Sequence, residues 1–202
     1  NRMINIGRAE GIFYAEMREQ LVQMRKELGF RYIRFWSIYD LVTFHTNQFQ
    51  NAEYNFSRLD RLFDFLCENS FTPFIELGFK PTLLVNITEG EHHFFRSEQK
   101  ENIFETPEDY ENFLCAFARH YCARYGKEEF GRWYFEQWLD PRQVDHHDYS
   151  GYWRYFSAAF RALKKGSGKI RLGCGGFSVT EDIYKELLHS WGDTFCTPDF
   201  LS

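Results

Sequence analysis

Arg132-Trp-Tyr-Phe-Glu-Gln-Trp-Leu-Asp-Pro141 is the stretch on which the reading of this chain turns. Read as a strand, it places Tyr134, Glu136 and Trp138 on one face, and Asp140 continues that face at the C-terminal tip. A carboxylate at a strand tip beside aromatics suits general acid–base work on a glycosidic bond. Asp140 also suits an ordinary cap of the turn before Pro141, and composition alone favours that plainer role.

Outward from this strand, β-rich runs alternate with helical patterns. Strands are predicted at Met3–Ile6, Tyr32–Trp36, Thr72–Phe79, Trp133–Trp138, Ile170–Gly173 and Asp199–Ser202. Apolar residues at three- and four-residue spacing mark the helices. The first runs from Ala15 to Leu28 and stops at Gly29, a C-cap. The second follows Asn55, with Leu59, Leu62, Phe63, Leu66 and Cys67 on one stripe. The third opens at Thr106-Pro107-Glu108, a capping residue followed by proline, and ends at Gly126. A fourth covers Tyr149–Lys165, and a fifth follows Thr180.

Repeated β–α units imply a parallel sheet with right-handed crossovers. An open doubly wound sheet and a closed barrel both fit. No Gly-x-Gly-x-x-Gly follows a strand, since Gly173-Cys174-Gly175-Gly176 lacks the spacing, so a dinucleotide fold is disfavoured. The long connections Lys80–Glu105 and Leu139–Asp148 follow strand C-termini, where the functional face of a parallel α/β protein lies.

At 202 residues a single domain, 1–202, is expected, and 44% hydrophobic residues provide its core. Aromatics reach 20%, enough to fill a core and also line a cleft that stacks on sugar faces. A net charge of −5 with no basic stripe argues against a grip on nucleic acid. No apolar run approaches the roughly 18 residues of a membrane span. Cys67, Cys115, Cys122, Cys174 and Cys196 make an odd count without a tight framework, which reads as reduced thiols in a cytoplasmic protein. Cys115 and Cys122 share a helix face as packing residues. Asp145-His-His-Asp148 and His92-His93 lack the geometry of a helical metal site, so a solvated loop is expected, with no metal and no cofactor.

The central stretch resembles the glycoside hydrolase family 39 signature, in which a Trp-x-Phe-Glu-x-Trp strand runs into Asn-Glu-Pro. The matching residues are Trp133, Phe135, Glu136, Trp138 and Pro141. His120-Tyr-Cys-Ala-Arg-Tyr-Gly126 with Glu128-Glu129 resembles the helix and turn before that strand, and Gly29-Phe-Arg-Tyr-Ile-Arg-Phe35 the second strand. Tyr54-Asn-Phe-Ser57 with Asp60 is similar to the approach to the second helix. Phe74-Ile-Glu-Leu-Gly-Phe79 with Pro81 is similar to the third strand, and Pro198-Asp-Phe-Leu-Ser202 to the lead into the sixth. The resemblance implies a (β/α)8 barrel of the TIM type, of which this chain holds about strands 1–6. The remaining strands are then expected from further chain or from a partner, a homo-oligomer included.

Where the family has Asn-Glu, this chain has Leu139-Asp140. The resemblance makes Asp140 the counterpart of the acid/base, with a side chain one methylene shorter. Misplacement on the ångström scale costs roughly 10²-fold in rate. Leu139 removes the amide that would hydrogen-bond the sugar, and such contacts at the 2-OH supply several kcal/mol at the transition state. Trp36 stands where family members commonly show His. The family's nucleophile sits on the seventh strand, so Glu76 and Glu136 are read as buried support of the cleft floor. Trp36, Glu76, Glu136, Trp138 and Leu139 are the expected sugar-site residues, with Asp140 at a degenerate catalytic position.

Three functions are in view. The first is a sensor domain that binds a xylose-type sugar with weak or no hydrolysis, as in family 39-like domains fused behind AraC-type regulators. The second is an active retaining β-xylosidase that uses Asp140. The third is a structural or dimerisation barrel.

Overall fold

The computed structural model describes residues 2–46, 52–78, 83–88, 91–96, 104, 106–138, 149–175, 181–191 and 196–202. In chain order the elements are β1 (Arg2–Arg8), α1 (Ala15–Leu28), β2 (Phe30–Trp36), β3 (Thr43–Thr46), β4 (Ala52–Asn55), α2 (Ser57–Glu68) and β5 (Thr72–Glu76). They continue as β6 (Leu83–Thr88), β7 (Glu91–Arg96), α3 (Pro107–Tyr125), the one-turn α4 (Lys127–Phe130), β8 (Tyr134–Trp138), α5 (Ser150–Gly166), β9 (Arg171–Gly175) and α6 (Glu181–Ser190).

Five strands form one sheet in the order β1-β2-β5-β8-β9, every pair parallel. Strictly sequential neighbours joined by helices are what repeated right-handed β–α crossovers produce. The predicted sixth strand begins where Leu201 bridges Cys174 in parallel, with the Asp199 N–H donating to Leu172 O at 2.8 Å. The third strand ends at Glu76, earlier than its sequence suggests, although the Leu77 N–H still donates to Glu136 O at 2.8 Å. Two antiparallel hairpins were not foreseen: β3–β4 after the second strand, and β6–β7 within the long 80–105 connection.

Helix ends follow local chemistry. Gly29 closes α1 in the left-handed conformation (φ 70°), which costs glycine nothing. Thr106 caps α3 by accepting the Asp109 N–H at 3.1 Å, and Pro107 fills the first helical position.

The strands alternate cleanly. Ile33, Phe35, Ile75, Leu77, Phe135 and Leu172 are fully buried under the helices. Aromatic contacts lock this layer, with Phe63 of α2 stacked on Trp133 at 4.4 Å and edge-on to Tyr121 of α3 at 4.7 Å. The opposite strand face looks into the sheet's concave side. Phe200, at the start of the sixth segment, reaches back to Phe74 of β5 at 5.6 Å and Tyr134 of β8 at 5.9 Å, so the sheet curls toward closure.

Helices α2 and α3 are also tied by charge. Asp64 accepts from Arg124 Nη2 at 2.6 Å and from the Tyr125 hydroxyl at 2.6 Å, and His120 Nε2 lies 2.7 Å from Asp60. The Arg124 hydrogen bonds, aided by the Tyr125 hydroxyl, hold the Asp64 carboxyl below its usual range. A carboxylate depressed in the folded state contributes stability above its unfolded pKa of about 3.9, and that contribution is lost as pH falls through the folded value. Asp64→Asn is therefore expected to lower the melting temperature at neutral pH and to flatten its fall in acid. Melting curves across the acid range check this, and an acid limb unchanged in the variant would refute it.

Candidate functional site

The inner face of the sheet is built in rows. Tyr32, Phe74, Tyr134 and Phe200 make an aromatic floor, with Phe74 stacked on Tyr134 at 5.7 Å and Tyr32 edge-on to Tyr134 at 5.5 Å. Arg171 lies over Tyr134 at 5.6 Å and Arg34 over Phe74 at 5.8 Å. β9 presents glycines to this face. A Cβ on Gly173 would fall 2.3 Å from the Phe200 ring, and one on Gly175 (φ 120°) would fall 2.3 Å from Ser202 O.

One row further toward the strand C-termini sits a charge cluster. Arg34 Nη1 is 2.8 Å from Glu76 Oε1, and Arg34 Nη2 is 2.8 Å from Glu136 Oε2. The contacts with Glu136 are aligned hydrogen bonds, whereas the one with Glu76 is a charge–charge contact with the N–H turned off the oxygen. Ser202 Oγ donates to the second oxygen, Glu136 Oε1, at 2.8 Å. Both carboxylates have no solvent exposure, while the Arg34 side chain keeps 17% of its own. Register explains the meeting. Arg34 pairs with Phe74 across the β2–β5 ladder and Glu76 with Glu136 across β5–β8, so all three belong to the inward set.

The outer side of the same strand ends is pinned by buried hydroxyls. Tyr110 OH donates to Gln137 Oε1 at 2.9 Å, Tyr152 OH to Gln137 O at 2.9 Å, and Tyr39 OH to Leu77 O at 2.7 Å. Burial pushes all three tyrosines above their usual range, so they remain neutral donors. Burial also pushes the Cys174 thiol up to about 12, which leaves it a packing group.

Of the residues singled out from sequence, Glu76 and Glu136 come together on Arg34. Trp36 ends β2 half-buried, two residues beyond Arg34, with its ring against Gly7. Trp138 ends β8 with its backbone paired to Gly175, and its side chain lies outside the described set. Leu139, Asp140, His146 and His147 lie outside the described residues. Among the described residues, no group of three or more His, Cys, Asp and Glu could hold a metal ion. No helix among them is long and apolar enough to cross a membrane.

Sequence reasoning missed Arg34 and Ser202. The signal for Arg34 was present, because an arginine between buried Ile33 and Phe35 must face inward, and two buried glutamates require a cation. Ser202 carried no such signal.

A curled parallel sheet with inward glutamates on an arginine, above an aromatic floor, defines a barrel of the glycosidase kind. The model of glycosyl hydrolases family 39 matches residues 2–202, and the chain belongs to that family. It is 35% identical over 167 residues to a β-xylosidase of Caldicellulosiruptor saccharolyticus, which covers 78% of this chain and 33% of that protein. It is 30% identical over 171 residues to human α-L-iduronidase, covering 81% of this chain and 23% of that one. The fold matches the crystal structure of a family 39 enzyme from Xanthomonas axonopodis pv. citri with a TM-score of 0.71 at 24% identity, over 99% of this chain and 39% of that one. The chain thus spans about a third or less of the curated relatives named here.

Removing Arg34 takes the cation from two buried carboxylates, a loss of about 3–5 kcal/mol. Arg34→Met is therefore expected to unfold at markedly lower denaturant at neutral pH. Glu136→Gln in the same background should restore part of the loss. Denaturant titrations of the wild type, the single variant and the double variant check this, and no recovery in the double variant refutes a charge origin.

Proposed function

We propose that this chain is the sugar-binding part of a family 39 protein, taking a xylose-type carbohydrate with weak or no hydrolysis. Its role is that of a sensor module in a larger cytoplasmic protein such as an AraC-type regulator. The observation that carries the binding half is the inner face itself. Arg34, Glu76 and Glu136 form a buried cluster of one cation and two carboxylates beside the aromatic floor of Tyr32, Phe74 and Tyr134, with Trp36 at the same strand end as Arg34. Polar groups next to aromatic surface suit a sugar ring. Family membership supports the carbohydrate, and the similarity to a β-xylosidase supports the pentose.

The hydrolytic half rests on sequence. Two residues past the end of β8, Leu139-Asp140 stand where the family signature has Asn-Glu. General acid catalysis needs the carboxyl within about 2.6–3.2 Å of the leaving oxygen, and Asp140 is a methylene short. Leu139 can make no hydrogen bond to the sugar, so the transition-state contact is lost while ground-state stacking survives. The similarity to an active β-xylosidase favours a second reading, a retaining glycosidase with Asp140 as acid/base and its nucleophile on another segment.

The deciding experiment sets calorimetric binding of xylose and xylo-oligosaccharides beside turnover of an aryl β-xyloside in the parent protein. Wild type is expected to bind with little turnover. The double variant Leu139→Asn with Asp140→Glu should raise kcat by about 10²-fold or more while changing affinity little. Robust wild-type turnover abolished by Asp140→Ala would establish the enzyme instead. Absence of binding to any pentose or xylan fragment would leave the structural role.

A further inference from the structure

On the outside of the barrel, a half-open groove of about 240 Å³ lies between the C-terminal halves of α3 and α5. Its floor is small and apolar, formed by Ala118, Ala162 and Gly166 with the thiol of Cys122. The helices meet closely there, since a Cβ on Gly166 would sit 2.8 Å from the Ala118 Cβ. The C-termini of both helices lead into strand starts, so the groove is at the end of the barrel opposite the sugar face.

Three exposed cations, Arg119, Lys127 and Lys165, line the groove, and among the described residues none meets a carboxylate. Their neighbours differ: Arg161 pairs with Glu111, Lys164 with Asp199, Arg124 with Asp64 and Lys169 with Glu128. A cation at a helix C-terminus is favoured by the helix dipole, and that accounts for Lys165 but not for Lys127, the first residue of α4. Nor does it account for Arg119, which lies well before the final turn of α3, where the dipole effect has faded. In a chain of net charge −5, a cationic rim around an apolar floor is a local reversal of sign.

The volume falls below the roughly 300–1,000 Å³ of small-ligand sites. It suits the anchor pocket of a protein interface, where one bulky side chain is desolvated and charges at the rim steer and orient. We propose that this groove docks an acidic segment of a partner polypeptide, which seats one leucine- or phenylalanine-sized side chain against Ala118, Ala162 and Gly166 while its carboxylates meet Arg119, Lys127 and Lys165. The inference is independent of the sugar reading.

The test selects peptides from a displayed library on the parent protein, with counter-selection against the Arg119→Glu, Lys127→Glu, Lys165→Glu variant. Enriched sequences should carry acidic residues around one bulky apolar residue. By fluorescence anisotropy, the labelled peptide should bind at least about tenfold more weakly to the triple variant and to Ala162→Leu, which fills the floor. Replacing the peptide's apolar residue with alanine should weaken it similarly. The charge variants alter only exposed positions, so their melting temperatures should match wild type, and a matched temperature keeps their result decisive even if Ala162→Leu unfolds. No enrichment over counter-selection, equal binding to the triple variant, or affinity unaffected by the alanine peptide would each overturn the proposal. Binding to anionic phosphatidylglycerol vesicles that is lost in the triple variant, without peptide binding, would assign the groove to a lipid surface and overturn it equally.

Discussion

Glu76 and Glu136 lie side by side on adjacent strands with no access to water, and a pair of bare carboxylates in that position would not be tolerated by a folded chain. Arg34 makes the arrangement viable. Its planar guanidinium reaches both, with two N–H groups donating to the one oxygen Oε2 of Glu136, and its own face rests on Phe74. A lysine, with a compact ammonium, could not serve two carboxylates and an aromatic ring at once. Because the three residues come from β2, β5 and β8, the cluster fixes the relative register of strands that a hydrophobic interior alone would hold only loosely. Ser202 extends this control to the sixth segment by taking the remaining oxygen of Glu136.

The two faces of the sheet are stabilised by different physics. Toward the helices, apolar side chains and stacked rings exclude water, and the hydroxyls of Tyr39, Tyr110 and Tyr152 there are satisfied by backbone and amide oxygens at Leu77 and Gln137. Toward the interior, charge and aromatic surface alternate in rows, as layered packing of a barrel requires. Rigid hydroxyl props on the outside and an ion cluster on the inside together hold the strand ends from which the sugar-facing loops depart.

Much of the architecture was legible in the sequence because it depends on periodicity and punctuation. The helices came from stripes such as Leu59, Leu62, Phe63 and Leu66, and from Gly29 and Thr106-Pro107 at their ends. Parallel order came from the alternation of elements. The hairpins β3–β4 and β6–β7 were not legible, since strands of four and six residues inside long connections are too short for a two-residue period to stand out. At the site, Glu76 and Glu136 could be assigned to the interior by alternation, but their shared partner could not. An ion pair between residues 102 apart in sequence is set by register, and register is a property of the folded sheet. Ser202 was hidden for the same reason.

Trp133 has a consequence of its own. It is wholly buried, sandwiched near Phe63 and Phe130, and its indole N–H has no hydrogen-bond partner among the described residues. An indole in such dry surroundings emits at the blue edge of the tryptophan band, whereas Trp36, half-buried at the strand end, emits to the red of it. Of the five tryptophans, these two therefore report on different places: Trp133 reads the integrity of the layer between sheet and helices, and Trp36 reads the mouth of the barrel. With Trp138, Trp153 and Trp191 replaced by phenylalanine, the separation in wavelength between the two lets occupancy of the mouth be followed apart from loosening of the core.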